Sequence, residues 1–404
     1  MKIAASTIVL GLSLLSNPVA ANTPDLCTTD IEDLRLMKPS ACDPDGRIGP
    51  DITVGSTVYN NDEDHFVIGS PKSTAGRNLK GSKSKKGKKS GKGSNIDHIL
   101  VYLPGTTDWP GLSSCLLQSA ASVGVPTIGL TYGYLSRGDG FRNTRCASFS
   151  EAEDAVECLT EQHTDAIYGG TYGAERIYND ALFWAAVDPR DSIAGRLGLL
   201  LAELHLEYPE EGWDLYYEPA MGDYPVSLPT PKWENIAFMG HSQGAGHAAY
   251  LAQTKKIAGA VLISGPQDAA ECEACNAETK FWIDGDFKTD KVTAFAHGDA
   301  SEPDLEPTLP IMKDNWSRMA ESGTVTWSYP LEVVDTGDYG SYDVCKTPIV
   351  SSIAPSVTSP CGRKGHCSTA LDDSAPVLET STGGDKVYIF GLDIWANVAD
   401  VGKC

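Results

Sequence analysis

The chain lacks the features that mark several broad classes of protein. It has neither the glycine at every third position of a collagen nor the several apolar runs of about 20 residues of a membrane transporter. Hydrophobic residues make up 41% of the chain, which excludes a disordered composition. Basic residues are scarce, with 32 Lys and Arg against 54 Asp and Glu, and the net charge of -22 argues against nucleic acid as the main partner. The 404 residues are therefore globular and long enough to bury a large core.

A complete zinc motif is also missing. Cys272 and Cys275 form a C-x-x-C pair, but no second C-x-x-C or H-x-H at metal spacing supplies the remaining ligands. We therefore predict that no metal or organic cofactor is required, and we interpret the pair as part of a disulfide arrangement. The chain has 11 cysteines, and this odd number leaves at least one thiol free or paired with another chain.

The first 21 residues are typical of a secretory signal peptide. Lys2 precedes the apolar run from Ile8 to Leu15, and small residues follow at the positions that a signal peptidase reads, ending at Ala21. The run is too short to cross a bilayer of about 30 Å, so we predict no membrane span. The mature chain would then begin at Asn22 and be secreted. The sequon that begins at Asn315 could carry a glycan in a host that glycosylates.

Residues 72–94 differ sharply in composition from the rest of the chain, and we call them the basic strap. The strap contains Gly, Ser and nine basic residues, from Lys72 to Lys92, with no acidic residue. Such a segment cannot form a packed core. Without Lys2 and the strap, 22 basic residues remain against 54 acidic ones, a balance of -32. One interpretation is contact with a polyanion such as an acidic polysaccharide, a mineral or an anionic cell wall; the other is a solvated insertion that folds back on the acidic body.

After the strap, short apolar runs alternate with stretches of helical periodicity. The runs predict strands, and the stretches predict helices between them. This alternation predicts an α/β fold with a mostly parallel sheet covered by helices on both faces. In such sheets ligands bind outside the carboxyl ends of the strands. The predicted strands are Ile96 to Leu103, Val125 to Tyr132, Ile236 to Met239, Ile257 to Ile263 and Val292 to Ala296, and the clearest helices are Ser113 to Val123 and Ser192 to Tyr208.

One of these runs leads directly into a G-x-S-x-G motif. The segment from Gly240 to Gly244 reads GHSQG, and a run of small residues suited to a tightly packed helix follows it. This strand-turn-helix context is that of a nucleophile elbow, in which the serine occupies a strained turn. The flanking glycines are needed because neighbouring backbone approaches too closely for a Cβ atom. Ser242 is therefore the candidate nucleophile.

A serine hydroxyl needs a histidine to accept its proton and a carboxylate to orient that histidine. In folds that carry this elbow, the catalytic serine comes first along the chain, the acid second and the histidine third. Of the eight histidines, only His366 comes late enough. Asp299 follows a late predicted strand and is the preferred acid, while Glu302 and Asp304 in the same loop remain alternatives.

Two backbone N–H groups should stabilise the oxyanion of a tetrahedral intermediate. One would come from Gln243, the residue after the nucleophile. The other would come from the loop that follows the strand ending at Leu103, where Thr106 is the preferred donor. This loop begins with Pro-Gly, so the alternative interpretation is a simple turn.

At these residues the chain resembles the α/β-hydrolase superfamily, and within it a group of poorly characterised secreted serine hydrolases with a GHSQG elbow. The resemblance spans residues 97–376 and implies Ser242, Asp299 and His366 as nucleophile, acid and base. It also implies a hydrolase domain over residues 95–404, with residues 22–71 as an N-terminal segment that could supply the first strands of the sheet. The basic strap, the cysteine-bearing N-terminal segment and the spacing at His297-Gly298-Asp299 depart from the pattern of the group.

The sequence therefore predicts a secreted serine hydrolase of the carboxylesterase or lipase type, acting on a small-molecule or polymer ester through an acyl-enzyme intermediate. The alternative is a non-catalytic surface or wall protein that binds polyanions through the basic strap on a hydrolase-like scaffold. Candidates for every catalytic role favour the enzyme.

Overall fold

The structure is a computed structural model that describes the chain in separate stretches. The predicted signal peptide, the basic strap and the loop containing Asp299, Glu302 and Asp304 lie outside the described residues. The described residues are 34–43, 52–54, 57–59, 62–71, 98–106, 108–122, 124–133, 149–170, 175–178, 181–185, 187–221, 227–268, 275, 279–298, 308–328, 334–335, 343–356, 364–379, 386–388 and 404.

The strands and helices follow one another along the chain. The strands are β1 (Leu34–Met37), β2 (Ile52–Val54), β3 (Thr57–Tyr59), β4 (His65–Ile68), β5 (Ile99–Leu103), β6 (Thr127–Gly129), β7 (Glu175–Tyr178), β8 (Ala181–Ala185), β9 (Tyr217–Glu218), β10 (Thr230–Pro231), β11 (Ile236–His241), β12 (Gly259–Ile263), β13 (Val292–His297), β14 (Val334–Asp335), β15 (Ile349–Ser351), β16 (Val377–Glu379) and β17 (Lys386–Tyr388). The α-helices are α1 (Pro39–Cys42), α2 (Ser114–Ser122), α3 (Ala152–Tyr168), α4 (Ile193–Glu207), α5 (Gln243–Thr254), α6 (Thr308–Glu321) and α7 (Lys364–Ser368).

Nine strands form one mixed sheet in the order β1-β4-β6-β5-β11-β12-β13-β15-β14. All neighbours from β6 to β14 run parallel, while β4 is antiparallel to both β1 and β6. This order, with one antiparallel strand near the N-terminal edge, is that of the α/β-hydrolase fold. The predicted mostly parallel sheet is confirmed, and the antiparallel edge is a feature that the alternation of strands and helices did not reveal.

Successive residues of the central strands contribute to two separate cores. Phe238 of β11 belongs to the core that contains residues of α3, α4 and α5, whereas the next residue, Met239, belongs to the core that contains residues of α2. Adjacent side chains of a strand point to opposite faces, so the parallel strands need apolar residues at nearly every position. Helices therefore cover both faces of the sheet, as predicted.

Helix α4 agrees closely with its prediction from residues 192–208. Its first turn is capped by Ser192, whose hydroxyl accepts a hydrogen bond from the N–H of Gly195 at 3.0 Å.

Two predicted strands are shorter than expected. β5 begins at Ile99, and β6 ends at Gly129, after which the N–H of Thr131 donates to Nδ1 of His65 instead of a strand carbonyl.

The predicted use of cysteines in disulfides is confirmed. Cys345 and Cys404 are joined with a Cα–Cα distance of 5.2 Å. Cys275, part of the C-x-x-C pair, is also disulfide-bonded. Among the described residues, Cys42 is a free cysteine, and its burial raises the pKa of the thiol to about 12, which keeps it un-ionised and unreactive at neutral pH.

The sequon lies on helix α6 and does not face solvent. Asn315 is fully buried, and its Nδ2 donates to the carbonyl of Pro266 at 3.0 Å. The next residue, Trp316, is also buried and donates to the carbonyl of Gly265. The interpretation of Asn315 as a glycan acceptor is therefore wrong for the folded protein, because its amide is engaged inside the core.

Asp372 joins the segment after α7 to the first turn of α2. Its carboxylate accepts hydrogen bonds from the hydroxyl of Ser114 at 2.6 Å and from the N–H of Cys115 at 3.0 Å. Burial raises the pKa of Asp372 from 3.8 to about 7, although these hydrogen bonds act in the opposite direction. The native state therefore binds a proton that the unfolded chain has released in the pH range between these two values.

This carboxyl should make stability depend on pH in a specific direction. Its contribution is fully present below about pH 4 and is lost as the pH rises towards 7, by up to about 1.4 kcal/mol per pH unit. Asp372→Asn removes the titration, so the variant should not lose this stability as the pH rises. The free energy of unfolding of the variant minus that of the unmodified protein should therefore increase by about 1 to 3 kcal/mol from pH 5 to pH 8. Denaturant unfolding at both pH values measures this difference. An equal effect of the substitution at the two pH values would contradict it.

Candidate active site

Ser242 occupies a strained turn between β11 and α5. Its backbone angles are φ 54° and ψ -117°, in a region that residues with a side chain rarely adopt. Its N–H donates to the carbonyl of Ile263 at 2.8 Å, and its carbonyl accepts from the N–H of Ala245 at 3.0 Å. The strand-turn-helix context expected for the GHSQG segment is thus present.

The two glycines of this segment are required by close backbone contacts. A Cβ atom on Gly240 would overlap the carbonyl oxygen of Gly244 across the turn. A Cβ atom on Gly244 would overlap the carbonyl oxygen of Leu103, at the end of β5. The absence of both Cβ atoms lets α5 begin directly against the neighbouring strand, which places Ser242 at the carboxyl edge of the sheet.

The two candidate oxyanion residues are in direct contact. Gln243 is the first residue of α5, and Thr106 lies in the turn after β5. The hydroxyl of Thr106 donates to Oε1 of Gln243 at 2.6 Å. This hydrogen bond holds the loop that follows β5, which we call the β5 loop, against the first turn of α5. In the same loop, the carbonyl of Pro104 accepts from the hydroxyl of Tyr132 at 3.0 Å.

His366 lies on the short helix α7 and is buried beside the nucleophile turn. Its carbonyl accepts from Nε2 of His241 at 3.1 Å and from the hydroxyl of Thr369 at 2.8 Å. The imidazole rings of His241 and His366 are 4.9 Å apart between centroids. The hydroxyl of Ser264, another residue with positive φ, donates to the same carbonyl at 3.4 Å. His366 is therefore held at the ends of β11 and β12, in contact with His241, the residue that precedes Ser242.

His241 connects this helix to the β5 loop. A backbone carbonyl only accepts hydrogen bonds, so Nε2 of His241 must carry the proton that it shares with His366. Nδ1 of His241 lies 3.4 Å from Oδ2 of Asp108. No role was predicted from the sequence for either side chain. The only feature of the sequence that indicated a role for His241 was its position immediately before Ser242.

The candidate acid lies beyond the part of the chain that the structure describes, but the start of its loop is described. β13 pairs with β12 in parallel, so the two strands end at the same edge of the sheet. Nε2 of His297, the last residue of β13, donates to the carbonyl of Ile353 at 2.8 Å, and the N–H of Gly298 donates to the carbonyl of Ser351 at 2.8 Å. The chain therefore enters the loop that contains Asp299 from the edge where Ser242 and His366 lie.

A second cluster of polar side chains is buried behind the nucleophile turn. His163 of α3 and His247 of α5 face each other, with 2.9 Å between their Nδ1 atoms. Nε2 of His163 lies 3.2 Å from Oδ1 of Asp268, and Nε2 of His247 lies 3.4 Å from Nε2 of Gln243. From the sequence, neither histidine was a candidate for the catalytic base, and no other role was predicted for them. The spacing of Gln243 and His247 along one face of a helix was the available signal.

The described residues contain neither a candidate metal site nor a candidate membrane-spanning helix. Within the described ranges, no group of three or more His, Cys, Asp or Glu side chains is arranged to hold a metal ion. In the same part of the chain, every helix is too short or too polar to span a bilayer.

No protein-family model matches the chain, and no curated protein matches its sequence. Among solved structures, the crystal structure of the Bacillus cereus carboxylesterase is similar over 56% of this chain and 74% of that chain, with 16% identity and a TM-score of 0.29. The order and directions of the nine strands are what identify the architecture of this chain as the α/β-hydrolase fold.

Proposed function

We propose that the protein is a serine hydrolase that cleaves an ester or a related acyl bond, of the carboxylesterase or lipase type. The observation that carries this proposal is the strained turn of Ser242 at the end of β11. The contact of His366 with His241, the residue before Ser242, supports the proposal. A strained turn of this kind is retained where the conformation serves a function. The predicted signal peptide and the disulfides support the further proposal that the enzyme is secreted.

The chemistry proceeds in two half-reactions. In the first, Oγ of Ser242 attacks the acyl carbon while His366 accepts the hydroxyl proton. The backbone N–H groups of Gln243 and Thr106 stabilise the resulting oxyanion. When the tetrahedral intermediate collapses, the bond to the leaving alcohol breaks, the alcohol takes the proton from His366, and an acyl-enzyme remains. Asp299 holds the imidazole in the correct orientation and stabilises its cation.

In the second half-reaction, water replaces the alcohol. His366 accepts a proton from the water as it attacks the acyl carbon, and a second tetrahedral intermediate forms. Its collapse breaks the bond to Oγ of Ser242, which recovers its proton from His366. The products are a carboxylic acid and the free enzyme.

Replacement of the nucleophile should abolish turnover. We expect Ser242→Ala to lower kcat for short-chain esters by about a thousandfold or more, with the fold retained. Labelling with a fluorophosphonate followed by mass spectrometry should place the adduct on Ser242. The matched control is Ser122→Ala, an exposed serine on α2, which should leave both activity and labelling intact. An adduct on another serine, or full turnover by Ser242→Ala, would refute the proposal.

The acid can be identified by comparing three isosteric substitutions. Asp299→Asn should lower kcat by roughly a thousandfold or more, because an amide no longer selects the required tautomer of the histidine. Glu302→Gln and Asp304→Asn serve as matched controls from the same loop, and each should change kcat by less than about threefold. Steady-state kinetics of the three variants decides the assignment. A large loss in Glu302→Gln or Asp304→Asn alone would move the acid to that residue.

We also propose that the basic strap is an anchor for polyanions rather than part of the catalytic machinery. The proposal is supported by the nine basic residues of the strap, which contrast with the strong negative charge of the remaining chain.

Removal of the strap should separate anchoring from catalysis. Deletion of residues 72–94 should leave ester turnover unchanged and abolish retention on a sulfated polysaccharide column at low salt. Retention that persists without the strap would contradict the anchor. If the full chain binds the column but never hydrolyses an ester, the non-catalytic surface protein becomes the better interpretation.

A further inference from the structure

A continuous row of polar side chains runs through the core to the proposed oxyanion site. It begins at Asp268, which follows β12, passes through His163 and His247, and reaches Gln243 at the start of α5. The final link is the hydrogen bond of 2.6 Å from the hydroxyl of Thr106 to Oε1 of Gln243. We call these five side chains the polar row.

The first four members of the polar row are buried, and Thr106 lies half-buried at its end. The side chains of His163 and Asp268 are 1% and 0% exposed, and His247 and Gln243 are also buried. The ring of His163 stacks on Tyr250 at 5.2 Å between centroids and meets Trp282 edge-on at 5.1 Å. Buried polar atoms are strongly driven to keep their hydrogen bonds when water cannot replace them. The surrounding aromatic packing thus leaves the members of the row little freedom to change partners.

When Asp268 is ionised and both imidazoles are neutral, the hydrogen bonds of the row can run in one direction only. An ionised Asp268 only accepts, so the proton of a neutral His163 lies on Nε2, and its Nδ1 is an acceptor. His247 must then carry its proton on Nδ1, which leaves its Nε2 as an acceptor for the amide Nε2 of Gln243. Gln243 is left with Oε1 to accept from the hydroxyl of Thr106.

The observed orientation of the Gln243 amide agrees with this direction. Its nitrogen faces His247 and its oxygen faces Thr106, which is the one arrangement that the series of donors allows. The opposite tautomers of the two imidazoles would present an N–H group to the Gln243 nitrogen. The amide would then have to rotate, and the hydroxyl of Thr106 would lose its acceptor.

From this arrangement we propose that Asp268, His163 and His247 are positioning residues that fix the Gln243 side chain. The fixed side chain in turn holds Thr106 and the β5 loop against the turn that contains Ser242. The inference rests on the proposed function, because the position of Thr106 matters for catalysis only if its N–H group binds an oxyanion. None of the three positioning residues touches the reacting atoms. They act through the Gln243 side chain, which is the member of the row that contacts the loop.

The tautomers can be measured without any substrate. In the folded protein labelled with ¹⁵N at histidine, NMR distinguishes protonated from unprotonated ring nitrogens, and His163→Phe and His247→Leu identify the signals. We expect the proton on Nε2 of His163 and on Nδ1 of His247. The opposite tautomers, or a doubly protonated imidazole at either residue, would overturn the proposal.

Kinetics should show that the distant members and the loop act as one unit. Thr106→Val removes the hydroxyl but keeps the backbone N–H, and we expect kcat to fall about tenfold to a hundredfold with KM changed less than twofold. Thr106→Ser, which restores the hydroxyl, should recover most of this loss. His247→Leu should give a loss similar to that of Thr106→Val, and the double variant should be no worse than the poorer single variant.

The control for these variants is His205→Leu, which replaces a histidine of α4 outside the row and should leave kcat within twofold. Thermal unfolding verifies that every variant is folded. Additive losses in the double variant, or an effect on KM alone, would show that His247 does not act through Thr106.

Failure of this inference can be distinguished from failure of the proposed function. Hydrogen exchange over residues 104–109 should become faster in both Thr106→Val and His247→Leu, whether or not the protein hydrolyses an ester. If fluorophosphonate does not label Ser242 but the tautomers and exchange rates are as expected, the proposed function fails. The polar row then holds the β5 loop in place but has no catalytic role. If labelling succeeds but exchange is unchanged in His247→Leu, the polar row does not hold the loop and this inference fails.

Discussion

The backbone of Ser242 imposes the constraint on which the rest of the site depends. A residue with a side chain at φ 54° and ψ -117° is strained, and only surrounding contacts keep it there. Its N–H is held by Ile263 of the neighbouring strand β12, and the glycines on either side allow α5 to begin against the end of β5. The parallel pairing of β5, β11 and β12 therefore supports the turn from both sides.

Around this turn, segments that are distant in sequence are joined by hydrogen bonds rather than by apolar packing alone. The carbonyl of His366 accepts from His241 and Thr369, which attaches the late helix α7 to the end of β11. Behind the turn, the polar row connects α3 and the loop after β12 to the β5 loop. The contacts of His366 and those that join Asp268, His163, His247 and Gln243 are buried, so their hydrogen bonds face little competition from water and define specific side-chain positions.

Local sequence patterns correctly predicted secondary structure, but they did not predict which side chains are buried or which distant residues meet. The apolar spacing of residues 192–208 correctly predicted α4, and the alternation of strands and helices predicted a mostly parallel sheet. Asn315 satisfied the sequence requirement for a glycan acceptor, yet its side chain is bonded to Pro266 inside the core. His163 and Asp268 were assigned no role, because no pattern along the chain relates two residues 105 positions apart.

The sequence by itself determined where the turn of Ser242 forms, because the steric needs of the GHSQG segment and the alternation of apolar residues act between near neighbours in the chain. Only the tertiary structure decided which polar side chains meet around that turn. The contact between His241 and His366 spans 125 positions, and that between Thr106 and Gln243 spans 137. Such pairs are selected by the packing of helices onto both faces of the sheet, so they exist only once the whole sheet has formed.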